Sequence, residues 1–230
     1  MGIIKAFHPS TIYSDLKSLN INQLSFLFGM LIIMSGLSLY WKDTTTGILA
    51  GITGVTCVFL VNMRKLSNFF WGTINAVLYG YVAYQASYYG DTMLNWVFYL
   101  PIQFIGAYFW SRDMVGSEVI SKKLPLGSLY KFTTLTIISC AVYSIVLQQL
   151  GGKLSGVDAT TTVLSFLATF LMIKGYREQW VCWITVNVLS IIMWTVNFAE
   201  TGTGYGVLIM WTMFLANSTY GCYTWFKNSK

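Results

Sequence analysis

The sequence predicts an all-α, polytopic membrane protein with eight transmembrane helices. Seven of them form two parallel three-helix repeats joined by a linker helix, a 3+1+3 plan, and the eighth is an additional N-terminal helix. Three observations predict it: a composition too apolar for water, eight long segments free of formal charge, and an internal repeat spanning three helices. Of 230 residues, 55% are hydrophobic, 17% aromatic and only 10% charged. An ordinary soluble domain is about a quarter charged. So apolar a surface has to face lipid or other helices.

Taken in order, the apolar segments are Gln23–Tyr40, Gly47–Val61, Phe69–Tyr88, Thr92–Trp110, Phe132–Leu150, Ala159–Ile173, Gln179–Phe198 and Tyr205–Phe226. A spanning helix needs about 20 mostly apolar residues. None of the eight contains Lys, Arg, Asp, Glu or His. The first follows Lys5 and Lys17, as a signal peptide would, but it is too long for a signal core and no small-x-small cleavage site follows. It is read as a membrane helix. The second and sixth are short, and need Thr44–Thr46 and Asp158 or Lys174 to reach across. The resulting divisions are 1–45 for the N-terminal tail and additional helix, 46–112 for the first repeat, 113–156 for a cytoplasmic loop and linker helix, and 157–230 for the second repeat and tail.

Orientation follows from the basic residues. Lys5, Lys17, Arg64, Lys65, Arg112, Lys122, Lys123, Lys131, Lys174, Arg177, Lys227 and Lys230 fall on one side of this plan, and only Lys42 and Lys153 on the other. Both termini are therefore expected in the cytoplasm. The net charge of +6 is a topology signal, and no basic patch on a soluble surface points to nucleic acid. Cys57, Cys140, Cys182 and Cys222 lie far apart inside apolar runs, without the spacing of a disulfide framework or a zinc site. No metal or other cofactor is expected.

The repeat joins FFWGTINAVLYGYVAYQ (69–85) to VCWITVNVLSIIMWTVN (181–197). At an offset of 112, Trp71 matches Trp183, Thr73 Thr185, Asn75 Asn187 and Gln85 Asn197. At 115, Trp96 matches Trp211, Gly106 Gly221, Tyr108 Tyr223 and Trp110 Trp225. A single intervening helix makes both repeats cross the membrane in the same sense, as in parallel-repeat transporters, where short apolar segments in corresponding halves mark the substrate site.

Within Gln179–Phe198, Trp183, Asn187, Ser190, Trp194 and Asn197 fall at helical steps on one face, with Trp180 one turn earlier. Trp71, Asn75, Leu78, Val82 and Gln85 repeat the spacing, with Tyr79 beside them. Amides at membrane depth need partners, because an unpaired one costs several kcal/mol. The candidate binding residues are Trp180, Trp183, Asn187, Trp194, Asn197, Trp71, Asn75, Gln85, Tyr79 and Gln103. Asn also ties membrane helices together and Trp also anchors at interfaces. Those readings stay open for Asn75, Asn187, Trp180 and Trp183. Trp41, Trp110 and Trp225 read as aromatic-belt residues, and Pro101 with Gln103 as a kink, with gating open.

The stretch EQWVCWITVN, with Trp180-x-x-Trp183 and Asn187 one turn on, resembles the signature of the PnuC family, as do NFFWGTIN and AYFWSR. The resemblance covers about residues 46–226. It implies a SWEET-like core of seven helices and inward transport of nicotinamide riboside for NAD biosynthesis, across a bacterial inner membrane. It further implies a homotrimer, no ion coupling, and trapping of the product by phosphorylation. Some relatives carry thiamine or riboflavin, so another vitamin, or a sugar, is the alternative cargo. The candidate residues suit the riboside: aromatic faces attract a pyridinium cation by about 2 kcal/mol or more when desolvated, and amides serve its carboxamide and hydroxyls.

Proton-coupled carriers place Asp, Glu or His within the membrane. Here all eight acidic residues lie at segment ends or in loops, and His8 is in the N-terminal tail. The expectation is facilitated diffusion by alternating access, the two bundles rocking around a central site, with sodium coupling through carbonyls left open. A haem or metal enzyme would want histidines at membrane depth, and a hydrolase an acid–base pair there. The segments contain neither, so no enzyme is expected.

Overall fold

Inside lipid only a closed hydrogen-bond ladder satisfies the backbone, and the described residues of the apolar runs are helical. The computed structural model describes residues 2–42, 44–85, 92, 94–116, 118–149, 154–201 and 205–229, and within these the side chains of 83, 85, 194, 197, 198, 201 and 205–207 lie outside the described set. Among the described residues there are ten α-helices: α1 Gly2–Phe7, α2 Pro9–Lys17, α3 Ile21–Tyr40, α4 Thr45–Asn62, α5 Asn68–Gln85, α6 Leu100–Asp113, α7 Leu126–Gln149, α8 Ser155–Ile173, α9 Gln179–Thr201 and α10 Tyr205–Asn228. Four of them, α3, α4, α7 and α8, are long and apolar enough to cross a membrane by length and composition. The chain is an all-helical membrane protein, apart from a small antiparallel hairpin pairing β1 (Met114–Val115) with β2 (Glu118–Val119).

Local chemistry sets the helix ends. Asn20 and Gln23 form a reciprocal capping box that starts α3 at Ile21. The Thr44 hydroxyl accepts from the Gly47 N–H at 3.0 Å and starts α4. The two segments expected to be short are not: α4 has 18 residues and α8 has 19. Threonines and the Ser155–Asp158 turn extend them, because neither contains a residue that stops a helix. Short spans therefore no longer point to a substrate site. Ahead of Pro101 the chain is π-helical from Leu94 to Tyr99. Proline lacks an N–H and crowds the carbonyl four residues back, and a widened turn accommodates both.

The chain divides into two compact units, Met1–Ile120 and Ser121–Lys230. In the first, α4 packs on α3 and α5, and α6 on α1 and α5. Phe69 stands edge-on to Trp110, centroids 5.1 Å apart at 82°, over Gly106, where a Cβ would come within 2.3 Å of the Phe69 ring. The N-terminal helices are anchored: Phe7 stacks on Phe104 at 5.3 Å, and the buried Asp15 carboxylate accepts from the Ser67 N–H at 2.9 Å, just ahead of α5.

In the second unit, α8 packs on α7 and α9, and α9 on α10. Trp180 stands edge-on to Trp225 at 6.0 Å and 66°, over Gly221, where a Cβ would lie 2.7 Å from the indole. The Ser121 hydroxyl donates to the Trp225 carbonyl at 3.1 Å. Trp110 and Trp225, expected in an aromatic belt, are 1% and 0% exposed. Each is a core residue instead, because its ring is packed edge-on by the ring, Phe69 or Trp180, that lies over a glycine. Trp180 is buried with them, while Trp41 is exposed.

Candidate functional site

Each unit presents its amide-bearing helix through the same junction. In the first, α4 ends in a left-handed residue, Arg64 (φ 57°), and the N–H of Lys65 returns to the Leu60 carbonyl at 2.9 Å. In the second, α8 ends at Gly175 (φ 76°), and the N–H of Tyr176 returns to the Leu171 carbonyl at 2.9 Å. These are Schellman-type ends. Glycine takes the conformation without strain, whereas Arg64 takes it while its guanidinium pairs with Glu118. The same glutamate accepts from the buried Lys65 ammonium at 3.2 Å. In the second unit Glu178 accepts from Arg177 Nε at 3.3 Å and from the Leu124 N–H at 3.1 Å.

These junctions correspond at an offset of 111, as do the starts of α5 at Asn68 and α9 at Gln179. Phe69 and Trp180, the two rings over glycine, obey the same offset. The sequence match at 112 is thus one residue out of structural register, which rotates a side chain by about 100° around its helix. That explains where the two asparagines go. Asn75 Nδ2 donates to the Ala50 carbonyl of α4 at 2.8 Å, and the side chain lies on Gly54. Asn187, 2% exposed, donates instead to the Ser218 hydroxyl of α10 at 2.9 Å. Each ties its helix to a neighbour, but to different neighbours.

Of the other candidates, Gln103 is buried against Gly72, where a Cβ would lie 2.4 Å from its Oε1 and 3.0 Å from Cys57 Sγ. Gly72 lies between Trp71 and Asn75 in sequence, so Gln103 is brought to the part of α5 that carries those candidates. Trp71 is half-buried, with its indole N–H buried and unbonded. Tyr79 and Trp183 are half-buried too. The side chains of Gln85, Trp194 and Asn197 lie outside the described residues.

Sequence reasoning missed Gln179. It is 0% exposed, and neither amide atom has a partner. Its counterpart Asn68 is equally enclosed; its Nδ2 donates to the Lys65 carbonyl at 2.7 Å and its Oδ1 is unbonded. The Trp180 indole N–H is unbonded as well. Leaving a buried polar group unpaired costs about 1–3 kcal/mol, so these amides are added to the candidates for contact with a polar solute. The available signal was position: both residues open an aromatic-rich helix. The chemistry is neutral along α5 and along α9 as far as Phe198, with amides, hydroxyls and indoles; Glu200 stands at the far end of α9, and Arg64, Lys65, Glu118, Arg177 and Glu178 at the junctions. Among the described residues no group of His, Cys, Asp and Glu has metal-binding geometry.

Residues 44–227 match the model of a family described as nicotinamide mononucleotide transporter. The chain is 38% identical over 192 residues to the nicotinamide riboside transporter PnuC of Neisseria mucosa, covering 80% of this chain and 73% of the relative. To the protein of that name from Haemophilus influenzae it is 38% identical over 189 residues, covering 80% of each. Among solved structures it is similar to the crystal structure of the vitamin B3 transporter PnuC, with a TM-score of 0.83 and 33% identity over 96% of this chain and 97% of that one.

Proposed function

The chain belongs to the nicotinamide mononucleotide transporter family, and we propose that it carries nicotinamide riboside into the cell. The observation that carries this reading is the pairing of indoles with amides on α5 and α9, with no ionised group among them. A pyridinium ring stacks on indole faces, and its carboxamide and ribose hydroxyls exchange hydrogen bonds with Asn and Gln. The mononucleotide differs by a phosphate, which calls for Arg or Lys, and neither α5 nor α9 contains one. The riboside therefore fits better than the compound in the family's description. We assign contacts to Trp71, Asn75, Tyr79, Gln85, Gln103, Trp180, Trp183, Asn187, Trp194 and Asn197.

The route is facilitated diffusion by alternating access. A buried carboxylate or histidine is the usual means of coupling to protons, and the segments read as spanning have none. The chain crosses a bacterial inner membrane eight times in a 3+1+3 plan with one additional N-terminal helix, both termini in the cytoplasm, and acts as a homotrimer. The functional divisions are 46–112 and 157–230 for the repeats and 113–156 for the loop and linker.

Uptake by the purified protein in liposomes tests the substrate. Labelled nicotinamide riboside is expected to accumulate to equilibrium and to be displaced by unlabelled riboside, but not by the mononucleotide, thiamine, riboflavin or glucose. Uptake of thiamine without uptake of the riboside would overturn the assignment.

A further inference from the structure

We propose that the groove between α7, α8 and the start of α9 is a binding site for an anionic phospholipid, with one acyl chain in the groove and the phosphate at Lys123 and Arg177. The cavity measures about 490 Å³, within the range of built ligand sites. Its walls are mostly apolar: Leu129 and Phe132 on α7, with Thr136 beside them, Leu164 and Leu171 on α8, and Val181 on α9. Its mouth is polar, formed by Lys123, Arg177 and Glu178.

Three features select the occupant. The first is length. The α7 wall runs from Leu126 to Ile137, about 16 Å at 1.5 Å per residue, which is about half the 30 Å thickness of a bilayer's hydrocarbon. The slot is one leaflet deep. The second is charge. Both Glu178 oxygens are engaged, with Arg177 and with the Leu124 N–H, so Glu178 does not offset Lys123, which is exposed. Arg177 is held in place over the Phe226 ring at 4.4 Å and by the Ser229 hydroxyl. Basic pockets between helices on the cytoplasmic side recognise anionic lipid headgroups. The third is exposure. No described residue of α7 is buried, so the wall of the groove faces the lipid-accessible surface of this unit. The inference rests on the membrane orientation proposed above and not on the substrate.

The test uses the full chain purified in neutral detergent, with phosphatidylglycerol and phosphatidylcholine added separately. Bound lipids are counted by native mass spectrometry, and thermal stability is followed in parallel. Phosphatidylglycerol is expected to bind at least fivefold more tightly and to raise the melting temperature. Lys123→Glu should bring it down to the phosphatidylcholine level. Thr136→Trp, on the exposed helix, should fill the slot and abolish retention of both lipids. Circular dichroism establishes that the variants fold without reference to transport. Equal binding of the two lipids by the unaltered protein would overturn the proposal. So would undiminished phosphatidylglycerol binding by Lys123→Glu, or copies of the chain associating through this face in place of lipid.

Discussion

The Trp180 indole stands edge-on to that of Trp225, centroids 6.0 Å apart, directly over Gly221. In the other unit Phe69, Trp110 and Gly106 make the same three-residue contact. An aromatic ring at the head of α5 or α9 is thus seated on a glycine of the last helix of its unit, and each glycine leaves room only for hydrogen.

This contact predicts a stability effect. Gly221→Val and Gly106→Val each push branched carbons into a ring with no flexible end to retreat, and overpacking of this kind costs about 1–3 kcal/mol. Both purified variants should melt at lower temperature than the parent in the same detergent. An unchanged melting temperature would mean that the ring does not sit where described.

Gly72 gives the opposite pattern. A methyl group there meets the far end of Gln103, which can swing away, and Cys57 Sγ at 3.0 Å, which has to give only slightly. Gly72→Ala should therefore melt close to the parent while binding nicotinamide riboside at least fivefold more weakly, since Gln103 is displaced. Isothermal titration of the folded variant reads this directly. Retained affinity would remove Gln103 from the site.

Trp183→Ala and Asn187→Ala are each expected to weaken riboside binding at least tenfold, about 1.4 kcal/mol. Asn187 also donates to Ser218, so Ser218→Ala is the control. If Ser218→Ala alone reproduces the loss, Asn187 acts by tying α9 to α10 and does not touch the substrate.

Gln179 tests whether an unpaired amide serves binding. Replacing a buried polar group that has no partner with an apolar one of similar size is close to neutral or stabilising. Gln179→Leu should hold or raise the melting temperature and lower riboside uptake in liposomes. A variant that transports normally would return Gln179 to a purely structural place.

The absence of Asp, Glu, His, Lys and Arg from α5 predicts indifference to ion gradients. Uptake in liposomes should be unchanged when ionophores collapse proton and sodium gradients. Loss of uptake in intact vesicles would establish coupling and sink the uncoupled mechanism.

The sequence by itself determined that this is a helical membrane protein and placed its long apolar helices, with a six-residue error at the start of α7, but it read α1 and α2 as an N-terminal tail. That information is local, because apolar length, caps such as Asn20 with Gln23, and the lack of charge act within one segment. Composition also carried the neutral character of α5 and the family likeness through EQWVCWITVN. Only the tertiary structure showed that the two junctions correspond one residue away from the sequence match, because chance identities of Trp and Asn outweigh a junction defined by backbone geometry. It likewise decided that Trp110 and Trp225 are buried and that Asn75 and Asn187 face different helices. An indole at a helix end reads the same whether it meets lipid headgroups or an aromatic ring on a neighbouring helix. Burial depends on what packs against a face, and a single strand of sequence does not contain its neighbour.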